Sequence, residues 1–359
     1  MPLLADQIDG VIGVDTHRDT LAAAVVTPVG VVLVSADAPA NADGYQRLLE
    51  LARQHVPGRR CWALEGTGSY GAGLAGYLEA AGERVVEVCR PKRPAHRGGR
   101  KTDALDAVRA AREALVSDHL IHPRRRGERE ALRVLLATRG AAVLARTAAI
   151  NQLKALIVSA PEALRAQLRG RTGKQQIAAC LTQAACSTED VEHRMTVRAL
   201  RCTAQRIQTL TAEAKELEKE IHLLVQAMAP ELLALVGVGP ISAAQILVSW
   251  SHPGRFRSDA AFAAFAGAAP ILASSGLTTR HRLSRAGDRQ LNRALHTIVL
   301  VRARVDPATR AYIAKRTAEG KSSRDAQRCL KRAVARQVFK LLERKEGSAA
   351  TASREPHAA

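Results

Sequence analysis

The stretch GVIGVDTH, residues 10–17, decides how the first third of the chain is read. It is a short apolar run that ends on an acid, Asp15. TLAAAVVT follows at 20–27, then PVG at 28–30, then VVLVSAD at 31–37. Three β-rich runs divided by turn-forming residues predict a meander. NADGYQRLLELARQHV, 41–56, predicts a helix opened by Asn41 and Asp43, with Leu48, Leu49 and Leu51 near one face. RRCWALEG, 59–66, predicts a fourth strand ending at Glu65. GAGLAGYLEAAG (71–82) and RVVEVC (84–89) predict a short helix and a fifth strand. KTDALDAVRAAREAL, 101–115, then predicts a helix carrying Asp103 and Asp106. The order βββαβαβα makes this an α/β unit built on a mixed sheet.

Composition bounds the partners. The chain has 359 residues, suited to two or three domains, and 47% of them are hydrophobic, enough for packed interiors. Its 54 basic and 34 acidic side chains give a net charge of +20. Such an excess points to a polyanion, nucleic acid first and anionic membrane second. No apolar run reads as a membrane-spanning helix and no basic amphipathic helix stands at a terminus. MPLLADQIDG lacks a basic segment, so no signal peptide is expected and the expected compartment is the bacterial cytoplasm, on the nucleoid. Cys61, Cys89, Cys180, Cys186, Cys202 and Cys329 form no C-x-x-C pair and read as reduced, mostly buried small hydrophobes. Aromatic residues are 3%, which argues against binding single strands by base stacking.

Four acids carry the chemistry. Asp15 and Glu65 end strands, and Asp103 and Asp106, three apart, share a helix face. Each alone reads as a solvated turn or cap, as Asp37 and Asp43 do. Together, converging carboxylates repel one another unless a cation sits between them. Hard oxygen donors of this kind suit Mg2+, and two such ions about 4 Å apart stabilise the attacking and leaving oxygens of a phosphoryl transfer. RPKRPAHRGGRK lies just before the acidic helix, and Arg90 to Arg112 holds eight basic residues against two acids. It is either a flexible loop or a track that steers a phosphate backbone toward the acids through Arg97, Arg100 and Lys101, with Arg18 beside Asp15.

From Gly127 the pattern turns helical. Leu136, Val143, Ile150 and Ile157 recur every seven residues, and Ile207, Leu210, Ala214, Leu217, Ile221 and Leu224 hold heptad positions. These are two core helices of a bundle or an antiparallel coiled-coil hairpin serving as spacer and dimer contact. Arg133, Arg139 and Arg146 give the first helix a basic face.

ELLALVGVGPISAAQILVSW, 231–250, reads as helix, turn at Gly237 and Gly239, helix. It is either a plain turn or a helix-hairpin-helix whose glycines admit a phosphate. FRSDAAFAAFAGAAP predicts a buried helix up to Pro270. A loop follows, carrying Ser274-Ser275-Gly276 and then Arg280, Arg282, Arg285 and Arg289. Serine-glycine is an ordinary turn, or a nucleophile whose target phosphate the arginines clamp. Arg302 to Arg344 holds thirteen basic residues and four acids. The tail from Gly347 reads as disordered. The expected division is 1–126, 127–228, 229–346 and the tail 347–359.

The strand order with acids at these places resembles the RNase H-like fold of RuvC-type resolvases. GVDTHRDT, ALEGTGSYG and KTDALDA resemble three motifs of the IS110 family of insertion-sequence transposases, of the DEDD type. The resemblance places that family's metal-binding tetrad on Asp15, Glu65, Asp103 and Asp106. Thr16, His17 and Arg18 depart from the small residue, Ser and Lys that follow the first Asp in many members. In the C-terminal third, Pro270, Ser275-Gly276, Arg280 to Arg285, and Gly287-Asp288 leading to Leu291 and Leu295 resemble the same family's transposase domain. Leu283-Ser284-Arg285 stands where many members have Ile-Ser-Lys. The resemblance places the nucleophile on Ser275.

What this implies is a DNA recombinase. The acids and Ser275 form a composite site holding Mg2+, the coiled coil pairs copies into a dimer or tetramer, and a structured guide RNA from the same element selects the target. Two other classes stay open. One is a metal-dependent nuclease or Holliday-junction resolvase that activates water. The other is a non-catalytic basic nucleic-acid-binding protein.

Overall fold

The computed structural model describes residues 3–88, 102–118, 120–183, 190–273, 281–282, 284 and 287–352. The chain divides into two compact units, Met1–Arg126 and Gly127–Ala359.

The first unit runs β1 (Gly10–Thr16), β2 (Thr20–Val26), β3 (Val32–Pro39), α1 (Ala42–His55), β4 (Arg60–Leu64), α2 (Ala72–Ala80), β5 (Arg84–Glu87) and α3 (Asp103–Val116), after a 3-10 turn at Leu4–Asp6. This is the order read from the sequence. One mixed sheet holds the strands in the order β3-β2-β1-β4-β5. Pairing is antiparallel among the first three strands and parallel from β1 through β4 to β5. The arrangement is that of an RNase H-like α/β fold.

Every residue of β1 is buried, because helices cover both faces of the sheet. On one face Ile12, Val14 and Trp62 share a core with Leu48 and Leu49 of α1 and Leu74 and Leu78 of α2. On the other, Val11, Ala24, Ala63 and Val86 meet Ala107, Ala110, Ala111 and Ala114 of α3. Small side chains on both sides of this second interface let α3 lie close. Gly13 is its tightest point. A Cβ there would fall 2.0 Å from the Ala107 carbonyl oxygen and 2.6 Å from the Ala111 nitrogen. At the far end of β4, Glu83 accepts hydrogen bonds from Arg60 Nε at 2.8 Å and Trp62 Nε1 at 3.0 Å. Burial pushes the Glu83 carboxyl up, but the bonds from Arg60 and Trp62 outweigh it and hold the group below its ordinary value.

The second unit is mostly helical: α4 (Glu128–Ser159), α5 (Glu162–Leu168), α6 (Gly173–Thr182), α7 (Val191–Met228), α8 (Pro230–Leu233), α9 (Pro240–Trp250), α10 (Asp259–Phe265), β6 (Ile271–Leu272), β7 (His281–Arg282), α11 (Arg289–Val305), α12 (Pro307–Ala318) and α13 (Ser323–Ala352). Helices α4 and α7 are antiparallel. Leu132 shares a core with Ile221 and Val225 at one end, and Leu153 and Ile157 share another with Val197 and Leu200. Of the heptad positions on α7, Ile207, Ala214 and Ile221 are buried and Leu210, Leu217 and Leu224 are half-buried.

Several expectations change. On α4, of the expected row Leu136, Val143, Ile150 and Ile157, only Ile157 is buried; the others are half-buried, and Ala142 and Ala149, one residue before Val143 and Ile150, are buried with Leu153. Alanine lets the two backbones approach, and the larger side chains flank the seam. Helix α4 is also long and apolar enough, by length and composition, to cross a membrane, where the sequence reading found no such run. Its apolarity is spread through alanines between arginines, and one of these, Arg139, donates from Nη2 to Glu218 Oε2 of α7 at 2.9 Å. Helix α10 stops at Phe265 rather than continuing to Pro270, because Gly267 turns to φ +61. Helix α13 continues to Ala352, past Gly347, where the tail was expected to begin. Of the cysteines, Cys61 and Cys180 are buried while Cys202 is exposed and Cys329 half-buried; Cys89 and Cys186 lie outside the described residues.

Candidate active site

The register of β1 and β4 sets the acids. Val14 pairs with Leu64, so Asp15, near the end of β1, and Glu65, just past β4, lie side by side at the C-terminal ends of neighbouring strands. Alternation turns both toward the α3 face, with Gly13 and Ala63. Thr16 Oγ1 donates to the Glu65 carbonyl at 3.1 Å and ties the two strand ends together. Helix α3 begins at Asp103, where the Thr102 side chain caps it by accepting from the Leu105 nitrogen. The close approach at Gly13 carries that first turn to the end of β1.

The result is a three-residue cluster. His17 Nε2 lies 3.4 Å from Asp15 Oδ2 and 3.4 Å from Asp103 Oδ2. The ligand atoms of Asp15, His17 and Asp103 all lie within 4.8 Å of one another. Asp15 is buried, His17 half-buried and Asp103 exposed. The His17 Nε2 atom is itself buried and makes no hydrogen bond. Two carboxylates beside an unsatisfied imidazole nitrogen are a donor set that fits a divalent cation. Asp106 lies one turn along α3 and accepts from Arg109 Nη1 at 2.7 Å. Glu65 is half-buried. Among the described residues, Glu65 and Asp106 stand outside the close group. Sequence reasoning did not place His17 in this set. The signal was there: two residues beyond Asp15 on an extended chain is the same face. Arg18 is exposed, with Nε 3.5 Å from Asp19 Oδ1. Arg97, Arg100 and Lys101 lie outside the described residues.

In the second unit, Ser274, Ser275, Arg280 and Arg285 lie outside the described residues. The flanks of their segment are defined. Ile271 pairs with Arg282 and Leu272 with His281, so chain enters and leaves through a short antiparallel ribbon. Beyond it, Gly287 has φ +99, and a Cβ there would meet the Phe265 carbonyl oxygen at 2.2 Å. Asp288 caps α11, accepting from the Gln290 and Leu291 nitrogens at 2.9 and 3.0 Å. Its other oxygen accepts from Ser249 Oγ at 2.6 Å. The Gly-Asp pair therefore locks the start of α11 onto α9 and α10. Arg282 and Arg289 are exposed. Gly237 adopts φ +79 and lies against α11, where a Cβ would meet the Ile298 carbonyl oxygen and Arg302 at 3.1 Å. Gly239 precedes α9 with open space around it.

A basic cleft of about 710 Å³ accompanies these elements. Arg282 of β7, Arg316 of α12, Lys321, and Arg328, Lys331, Arg332 and Arg336 of α13 line it. Three carboxylates answer these seven cations. Asp325 pairs with Arg328 at 2.9 Å, Glu319 with Arg316 at 2.8 Å, and Asp259 with Arg336 at 2.7 Å and Arg332 at 3.6 Å. Lys331 is only 7% exposed and donates to Asn292 Oδ1 at 3.0 Å. Burial, then the charge of Arg328, holds its ammonium below the ordinary lysine value. Arg328, Arg332 and Arg336 recur every four residues, a one-face pattern that the sequence displays.

Comparison with known proteins agrees with this layout. A transposase model of the DEDD, IS110 type matches residues 12–160, and the model described as Transposase IS116/IS110/IS902 family matches residues 229–314. Together they cover well over half of the chain. The insertion element IS900 uncharacterized 42 kDa protein of Mycobacterium paratuberculosis is 29% identical over 77% of this chain and 80% of its own length. A probable family 20 transposase of Pseudomonas aeruginosa is 31% identical over 55% of this chain and 58% of its own length. The insertion element IS110 uncharacterized 43.6 kDa protein of Streptomyces coelicolor is 34% identical over 32% of this chain and 29% of its own length. With the acid-bearing sheet inside the first match and the Gly-Asp-capped helix inside the second, the chain belongs to the IS110 family of transposases.

Proposed function

We propose that this chain cleaves and rejoins DNA to move an insertion sequence, with Asp15, Glu65, Asp103 and Asp106 holding Mg2+ and Ser275 acting as nucleophile. The observation that carries the reading is the placement of Asp15 beside Asp103, across the contact that Gly13 permits. Bound there, the ions would polarise a phosphodiester and stabilise charge on its attacking and leaving oxygens. Ser275 Oγ attacks the phosphorus and gives its proton to solvent. The bond from phosphorus to one deoxyribose oxygen breaks, and that oxygen takes up a proton and leaves as a hydroxyl. The DNA phosphate stays on the serine as an ester. A hydroxyl of another strand then attacks the same phosphorus and releases Ser275, so a phosphodiester is restored without ATP.

The basic cleft supports a nucleic-acid partner held by its backbone, and the scarcity of aromatic side chains supports recognition by shape. In this reading a guide RNA of the same element selects the target, and the antiparallel pair of α4 and α7 joins copies into a dimer or tetramer on the nucleoid in the cytoplasm.

A second reading has one observation in its favour: the acid cluster lies wholly within an RNase H-like unit, where a metal-activated water could hydrolyse DNA without the serine. Trapping separates the two. Labelled element-end DNA is incubated with protein and Mg2+, denatured, and resolved on a gel. The serine reading expects a DNA–protein adduct that Ser275→Ala abolishes. Normal cleavage by Ser275→Ala, with no adduct in the parent protein, overturns it in favour of hydrolysis.

A further inference from the structure

We propose that His17 is a direct nitrogen ligand of the divalent ion at the Asp15–Asp103 site, and that it biases this site toward Mn2+ and later first-row ions over Mg2+. The proposal rests on the reading that the acids hold a metal, and it adds a ligand that this reading does not contain.

The placement is built by the backbone. His17 ends the β1–β2 hairpin, its N–H donating to the Thr20 carbonyl at 3.0 Å. Its ring therefore returns over the edge that carries Asp15, while α3 delivers Asp103 from the other side. Nε2 stands equidistant, 3.4 Å, from one oxygen of each carboxylate. It is shielded from solvent and hydrogen-bonds to neither. A histidine recruited only to bridge two acids would donate to at least one of them. Ligand atoms about 2.0–2.1 Å from a shared ion stand roughly 3.0–3.4 Å from one another, so both His17 contacts fall at the spacing of ligands around one centre.

The chemistry follows from the donor. Carboxylates alone suit hard ions such as Mg2+, whereas imidazole favours borderline transition metals. Mg2+ gains little from a nitrogen and holds its waters. A set of two oxygens and one nitrogen thus keeps Mg2+ usable but lifts the affinity for Mn2+, along the order in which N/O sites prefer first-row ions.

The test uses the full-length protein, stripped of metal by chelation and titrated with Mn2+ alone. Electron paramagnetic resonance counts bound Mn2+, and electron spin-echo modulation detects a directly coordinated nitrogen. Expected are a nitrogen coupling in the parent, its loss in His17→Ser with Mn2+ still bound, and a fall of at least about tenfold in the preference for Mn2+ over Mg2+. Circular dichroism and thermal melting check that the variant is folded. Bound Mn2+ without nitrogen coupling in the parent, or a coupling that persists in His17→Ser, overturns the proposal and leaves the acid site standing. Unchanged Mn2+ binding in Asp15→Asn overturns the acid site itself.

Discussion

At the edge of the first unit's sheet, three ligand atoms lie within 4.8 Å of one another; in the cleft of the second unit, seven cations are spread around about 710 Å³. The first region is fixed by backbone geometry: a strand register, a helix start and one glycine. The second is made of long side chains on α12 and α13, several already paired with acids. A site of the first kind fails when one atom moves. A site of the second kind loses strength in steps. Substitutions in the two regions therefore differ in size and in what they change.

The largest effect belongs to Asp15. Asp15→Asn keeps the shape of the side chain and removes its charge. If the carboxylate supplies a few kcal/mol of charge stabilisation at the reacting phosphate, strand transfer falls at least about 10³-fold. The variant should stay folded, because the amide keeps the volume of the side chain at the end of β1. A strand-transfer assay beside a melting curve checks both. Near-normal transfer would remove the acid edge from the chemistry.

Gly13 tests whether the site is a backbone property. Gly13→Val must push α3 off the sheet, because even a Cβ overlaps the Ala107 carbonyl. The expected cost is about 3 kcal/mol or more in denaturant unfolding, with metal binding lost in whatever fraction folds. A variant as stable as the parent would mean that α3 has room to spare.

Glu83 serves as the control in the same sheet, remote from the acid edge. Its carboxyl is held below its ordinary value in the folded state. Its contribution is then present at neutral pH, above the unfolded value, and is lost as the pH falls through the folded value. Glu83→Gln should cost about 2 kcal/mol at pH 7 and progressively less toward pH 3, read from urea midpoints across pH. Metal binding should be unaffected. A loss that is the same at both ends of the pH range would show that packing, not charge, makes Glu83 matter.

Legibility in the sequence divides along the same line. The strands were readable because turn formers interrupt continuous apolar runs, and Asp15 and Glu65 were readable because each run stops on them. For His17 the shared face with Asp15 was readable, but its place beside Asp103 was not, since that depends on how near α3 comes to β1. That distance is set by Gly13 and the alanines, whose small size leaves no mark in a hydrophobic pattern. On α4 part of the heptad row, Val143 and Ile150 but not Ile157, was displaced by one residue for a related reason. Period fixes a stripe only to within its width, and Ala142 and Ala149 take the seam from Val143 and Ile150 because they allow the closer approach. The excess of charge in Arg302 to Arg344 was visible, but its concave arrangement needs α12 and α13 folded against each other.

The smallest effects lie in that cleft, and they are the ones that separate a distributed surface from a site. Arg328 pairs with Asp325, so its removal also frees an acid; Lys321 lines the cleft with no ion pair among the described residues. Lys321→Ala should therefore weaken nucleic-acid binding only a few-fold at moderate salt. If it neutralises one phosphate, the slope of log affinity against log salt should fall by about 0.9. The change should be alike for every sequence, since a phosphate contact positions and does not specify. Lys331 differs, because burial and the charge of Arg328 hold its ammonium below the ordinary lysine value. The affinity lost in Lys331→Met should thus shrink as the pH rises, because a depressed ammonium gives up its proton before a surface lysine does. Binding curves at two pH values and three salt concentrations measure all of this. A loss confined to one sequence would turn the cleft from a backbone grip into a reader of bases.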